Sequence, residues 1–97
     1  MDTARAELLE ILRKQSFMTG GRWELSSGKI SDFYLDCKLT TLSHPRGRQL
    51  ARQLMYEQIK SLSGRPDAIG GLTIGAAPLS LGISDLAWRD GWPLDQF

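Results

Sequence analysis

The chain has 97 residues, 41% of them hydrophobic, and its twelve Lys and Arg against eleven Asp and Glu leave a formal charge of +1. That length allows one domain, burying roughly 60–65% of the surface its unfolded chain would expose. The balanced, evenly scattered charge excludes a basic arm for nucleic acid, an acidic tail and a disordered composition. A single cysteine, Cys37, excludes an internal disulfide, and no apolar run reaches bilayer-crossing length. The opening MDTARAELLEIL lacks the pattern of a signal peptide, so a reducing cytoplasm is the expected compartment.

In TARAELLEILRK, Ala4, Leu8, Leu9, Ile11 and Leu12 recur at three- and four-residue spacing, while Arg5, Glu7, Glu10 and Arg13 take the opposite face. This predicts an amphipathic helix, opened by Asp2 or Thr3 as N-cap. Gly20-Gly21 is expected to end any helical continuation in a turn, because paired glycines carry a large entropic cost in a helix. A hairpin follows, with strands over 22–25 and 30–37 joined through Ser26-Ser27-Gly28. In its second strand Phe33, Leu35 and Cys37 alternate with Asp32, Tyr34 and Asp36, which puts Cys37 on the apolar, packed side.

A second helix is predicted from Ser43, with Pro45 in its first turn, a buried stripe of Leu50, Ala51, Leu54, Met55, Ile59 and Leu62, and Gly64 to end it. His44 has no thiol or carboxylate at ligand spacing and reads as a local cap. The stretch DAIGGLTIGAAP then changes character: a strand over 68–72 enters a glycine-containing loop, and Pro78 opens a third helix running to Asp90, with Gly91 behind it. The final WPLDQF reads as a loop passing into a strand parallel to 68–72, which completes a βαβ unit. Trp88 and Trp92 read as core or subunit-contact residues. Two parallel strands with one crossover do not make a stable sheet, so the chain reads as the front part of a larger α/β domain.

The loop over 70–78 comes nearest to a chemical mechanism. Amides on a glycine turn feeding a helix N-terminus form a partial positive site for phosphate or pyrophosphate, with about 0.3–1 kcal/mol from the helix dipole. A Walker loop needs Lys and then Ser or Thr after Gly75, where Ala76 and Ala77 stand, and the spacing of Gly70, Gly71 and Gly75 does not fit the dinucleotide fingerprint. By itself the segment reads as a plain strand-to-helix turn. Ser26, Ser27 and Gly28 likewise read as an ordinary surface turn, with Lys29 and Lys38 solvated.

Together and in order, FMTGGRWELSSGKISDFYLDCKLTTL and DAIGGLTIGAAPLSLGI resemble the N-terminal portion of bacterial orotate phosphoribosyltransferases, within the type I phosphoribosyltransferase family. The tail WPLDQF resembles the approach to that family's flexible catalytic loop, and the resemblance runs from Leu8 to Phe97. It implies an α/β fold with a Rossmann-like parallel-sheet core. Residues 1–42 supply a hood helix and β-hairpin, and 43–97 supply a helix and the first βαβ unit of one incomplete domain. The implied activity is a Mg²⁺-dependent glycosyl transfer in pyrimidine biosynthesis. A phosphoribosyl group passes from phosphoribosyl pyrophosphate to orotate, giving orotidine 5′-monophosphate and pyrophosphate. The implied setting is a cytoplasmic homodimer with no nucleic-acid or membrane partner.

Residue by residue, the resemblance puts Ser26 where the family has a residue facing the ribosyl donor and the base, with Lys29 in the same turn. It puts Tyr34 and Leu35 along the orotate pocket, and Thr73, Ile74 and Gly75 against the pyrophosphate. Many relatives carry Lys at the position of Ser26, although one branch carries Ser. That branch has Asp where Ala77 stands, before Pro78, and an N-cap lost there typically costs about 1 kcal/mol. The family's basic Arg-Lys loop and its paired-acidic, Thr-Gly-rich motif have no counterpart in these residues. The catalytic groups and Mg²⁺ ligands are therefore expected beyond Phe97. Catalysis must lower a barrier by roughly 8 kcal/mol or more through charge stabilisation, so the chain alone is expected to be inactive. The alternatives are a non-catalytic regulator that binds a nucleotide or base, and an interaction module that pairs through an exposed strand edge.

Overall fold

The computed structural model describes residues 2–97, except for the side chains of Thr73 and Ile74. Its elements run α1 (Thr3–Gln15), β1 (Phe17–Glu24), β2 (Ile30–Leu35), α2 (Lys38–Thr41), α3 (Pro45–Lys60), β3 (Ala68–Ile69), α4 (Thr73–Arg89) and β4 (Asp95–Gln96). Asp2 opens α1, its carboxylate accepting from the Ala4 amide at 3.1 Å. The helix lies on α3, with Leu8, Ile11 and Leu12 half-buried and an ion pair from Glu7 to Arg46 at 2.7 Å.

The chain leaves α1 at Ser16, before the glycine pair is reached, and Gly20-Gly21 lie inside β1 instead of in a helix-ending turn. β1 and β2 pair antiparallel. The ladder is regular from Phe17↔Leu35 to Thr19↔Phe33 and resumes at Trp23↔Ser31, so Gly20, Gly21 and Arg22 stand opposite Asp32 alone. Gly20, within this irregularity, has φ +80°, a left-handed conformation that glycine adopts freely and other residues rarely do. β2 stops at Leu35, two residues before the sequence pattern does. The Asp36 amide donates to the Ser16 carbonyl at 3.0 Å, and Cys37 becomes the N-cap of α2. Cys37 is consequently exposed, not packed.

His44 caps α3, its Nδ1 accepting from the Gly47 amide at 2.9 Å. The buried set of α3 is Gly47, Leu50, Ala51 and Tyr56, with Leu54 and Ile59 half-buried, whereas Met55 and Leu62 are exposed. The expected stripe was too simple because α3 has three neighbours, α1, α2 and α4. Leu54 borders the groove with α1, while Arg52 and Tyr56 face α4, and the helix ends before Leu62. A methyl group on Gly47 would sit 2.7 Å from both Cγ2 and the carbonyl oxygen of Thr40 and 3.3 Å from Ile11 Cγ2. Three helices therefore meet at a glycine.

β3 and β4 pair in parallel, Ala68↔Asp95 and Ile69↔Gln96, around the crossover helix α4. The βαβ unit has the expected hand-off, but β3 is two residues long and α4 begins at Thr73, five residues ahead of Pro78. Ala76, Ala77 and Leu79 are good helix formers on a half-buried face, which outweighs the amide that Pro78 lacks. Tyr56, Ile83, Leu86, Ala87, Trp92 and Leu94 form the core between α3, α4 and the loop into β4. Polar ties fix that loop: Ser84 Oγ donates to the Leu94 carbonyl at 2.6 Å and Trp92 Nε1 to the Pro66 carbonyl at 3.2 Å. Trp92 is thus core as expected, whereas Trp88 is 72% exposed. Among the described residues no helix is long and apolar enough to cross a membrane.

Candidate functional site

The hairpin turn is closed by the Leu25 amide on the Lys29 carbonyl and the Gly28 amide on the Leu25 carbonyl, each at 2.8 Å. Gly28 takes φ +86°, so the turn depends on a residue without a side chain. Ser26 and Lys29 flank this turn and are exposed. Further down β2, Tyr34 and Leu35 are 40% and 49% exposed.

Tyr34 is not alone. The Trp23 ring stacks on it with centroids 6.4 Å apart and planes 23° from parallel. The glycine pair makes this possible, since a methyl group on Gly21 would lie 3.0 Å from Cη2 and 3.2 Å from Cζ2 of Trp23. Phe17 and Phe33 make a second ring contact at 5.8 Å. The hairpin therefore carries exposed, stacked aromatic surface along its strands, with Ser26 and Lys29 at its turn. Trp23 was not singled out from the sequence. Its signal is a tryptophan two residues after a glycine, in a strand paired with an aromatic one.

At the other candidate segment, the helix start has moved. Leu72 is the N-cap and offers no side chain to the first amides, which by helix geometry have no intrahelical acceptor. Gly75 lies in that first turn, exposed, with open space where a side chain would be. The side chains of Thr73 and Ile74 lie outside the described residues. Ala77 stands inside α4 and is no cap, so the loss expected from an Asp missing there does not arise.

These residues form two groups. The hairpin is joined to the rest through α1, whereas α4 packs on α3, α2 and β4. Open grooves among the described residues lie elsewhere: about 520 and 200 Å³ along α1 and α3, and about 460 Å³ between α4 and β4. None of them is lined by Ser26, Lys29, Tyr34, Leu35 or Gly75. No cluster of three or more His, Cys, Asp or Glu occurs among the described residues.

No family model matches the chain. An orotate phosphoribosyltransferase of Bradyrhizobium sp. (strain ORS 278) is 44% identical over 96 residues, covering 97% of this chain and 49% of that protein. One of Aquifex aeolicus (strain VF5) is 37% identical over 95 residues, covering 96% of this chain and 50% of that protein. The crystal structure of Mycobacterium tuberculosis H37Rv orotate phosphoribosyltransferase in complex with Fe(III) dicitrate matches with a TM-score of 0.69 at 36% identity, over 96% of this chain and 49% of that one. The chain is a homologue of the orotate phosphoribosyltransferases. It spans about half the length of the curated relatives it matches. Its α/β architecture, with hairpin, crossover helix and parallel strand pair, resembles that of the solved orotate phosphoribosyltransferases.

Proposed function

We propose that these residues serve as the N-terminal portion of an orotate phosphoribosyltransferase. Such an enzyme transfers the phosphoribosyl group of phosphoribosyl pyrophosphate to orotate, in a cytoplasmic homodimer. The observation that carries this reading is 44% identity over nearly the whole chain to a protein of that name. On this reading residues 1–42 are a hood and 43–97 begin the core. The Trp23–Tyr34 stack offers a planar π surface to a planar base, which such rings hold by offset stacking. Lys29 supplies a cation for a carboxylate, Ser26 a hydroxyl, and Leu35 an apolar wall. The uncapped amides that open α4, with Thr73, Ile74 and Gly75 in its first turn, suit the oxygens of a diphosphate.

Mg²⁺ would neutralise the departing pyrophosphate, but its ligands are not assigned to these residues. The residues supply orientation and one end of an anion site, and that is short of the barrier lowering catalysis needs. Pyrophosphate release from orotate and donor provides the test. The chain alone should show none. A chimaera in which the Bradyrhizobium enzyme's remaining half follows Phe97 should show it. Turnover by the isolated chain would overturn its assignment as an incomplete site, and a folded but inactive chimaera would overturn the functional reading.

A further inference from the structure

Not one residue of β1 or β2 is buried, so the hairpin has no core of its own to hold it at a fixed angle. What anchors it converges on Ser16. Its amide ends α1 on the Leu12 carbonyl at 2.9 Å, and its carbonyl accepts from the Asp36 amide at 3.0 Å, extending the hairpin ladder by one rung. Its hydroxyl lies 2.5 Å from Thr40 Oγ1, and both residues are completely buried. Thr40 is in turn fixed against the backbone of α3, because its Cγ2 and carbonyl fill the space that a side chain on Gly47 would need. One residue therefore ties the end of α1, the root of the hairpin and, through Thr40, the α2–α3 corner.

We infer that the buried Ser16–Thr40 hydroxyl pair is the joint that sets the angle at which the hairpin leaves the helical body. A hydrogen bond between two buried hydroxyls is directional, whereas methyl groups of the same shape pack without preferring an orientation. Replacing both partners by apolar isosteres leaves no buried polar group unpaired. The body should therefore stay folded while the hairpin loses its fixed direction. That this angle places Tyr34 and Lys29 for substrate rests on the function proposed above; the joint itself does not.

The test is a distance distribution between spin labels in the full chain, with Cys37→Ser removing the native thiol and labels carried by Ser27→Cys at the turn and Gln58→Cys on α3. The parent and Thr40→Ser, which keeps the hydroxyl, should give one narrow distribution. Ser16→Ala/Thr40→Val should broaden it by about twofold or more while far-ultraviolet circular dichroism is unchanged, and Ser16→Ala alone should broaden it too. An unchanged width in the two Ser16→Ala variants, or equal broadening in Thr40→Ser, would overturn the inference. No ligand is present in this measurement. An orotate titration of the parent, read separately, decides whether the hairpin faces the base.

Discussion

In the α3–α4 body, Tyr56 and Ile83 are 1% exposed and Ala87 not at all, whereas the β1–β2 hairpin leaves Ile30, Phe33 and Leu35 between 49% and 63% exposed. The two regions are consequently stable for different reasons. Burial of a large apolar side chain contributes about 1.5–3 kcal/mol, while a cross-strand pair on an open ladder contributes about 0.2–1 kcal/mol. A lone two-stranded hairpin is marginal in water, so this one depends on its attachment at Ser16 and Asp36. The body stores the stability, and the hairpin leaves aromatic rings open to solvent. Aromatic rings left open to solvent are what a planar ligand needs and what a core would hide.

The largest effect that separates the two regions is a pair of truncations. Ile83→Ala should cost about 2–5 kcal/mol in urea unfolding, because it opens a cavity among Leu86, Trp92 and Leu94. Phe33→Ala should cost less than about 1 kcal/mol, because it removes only a ring contact with Phe17 on an exposed face. Equal losses would mean that Phe33 is held by packing as extensive as that around Ile83, and the comparison would fail.

The same division explains what the sequence made legible. The periodicity of α1, the Asp2 and His44 caps and the Ser26-Ser27-Gly28 turn are local signals, and each is present in the structure; the parallel pairing expected between 68–72 and the tail forms too, but only over 68–69 and 95–96. The errors come from tertiary context. Tyr56 is buried because α3 meets α4 on a second face, which a single stripe cannot encode. Gly20-Gly21 looked like a stop because their cost in a helix is known from the chain alone, but their use in a bulge under Trp23 depends on the partner strand. Gly47 sits in mid-helix with no local reason, and only the approach of Thr40 supplies one. The family likeness named candidate site residues, yet it did not show that the hairpin set and the α4 set lie in separate parts of this chain.

A smaller effect sharpens the comparison inside the body. The Tyr56 hydroxyl donates to Asp90 Oδ2 at 2.6 Å, joining α3 to the end of α4. Burial, reinforced by that carboxylate, pushes the phenol up, while the hydrogen bond, helped by Lys60, Arg89 and Arg65, holds Asp90 down. A lowered carboxylate stabilises the fold above its unfolded value, near about 4, and loses that contribution as pH falls through the folded one. A raised phenol stabilises below its unfolded value, near about 10, and the contribution goes as pH rises through the folded one. The urea midpoint against pH should therefore be flat between these limits and fall on both sides. Tyr56→Phe should lower the plateau by about 0.5–1.5 kcal/mol, remove the phenol's share of the alkaline fall and make the acid fall shallower. An alkaline limb unchanged in Tyr56→Phe would show that the phenol does not contribute to it.

The smallest effect on stability bears most directly on the candidate site. Gly21→Ala introduces a methyl group 3.0 Å from the Trp23 ring, closer than an undisturbed contact allows, and the yielding atoms belong to the end of a side chain, not to backbone. The ring should move off Tyr34. Because the strand is exposed and alanine restricts the unfolded chain more than glycine does, the net change in stability should stay within about 0.5 kcal/mol. The near-ultraviolet circular dichroism of the stacked pair should nonetheless change, and orotate, if the hairpin binds it, should bind more weakly at unchanged unfolding midpoint. An unaltered near-ultraviolet spectrum would show that the glycine does not set the ring's place. A lost unfolding midpoint would show that the bulge supports the fold and not merely the surface it presents.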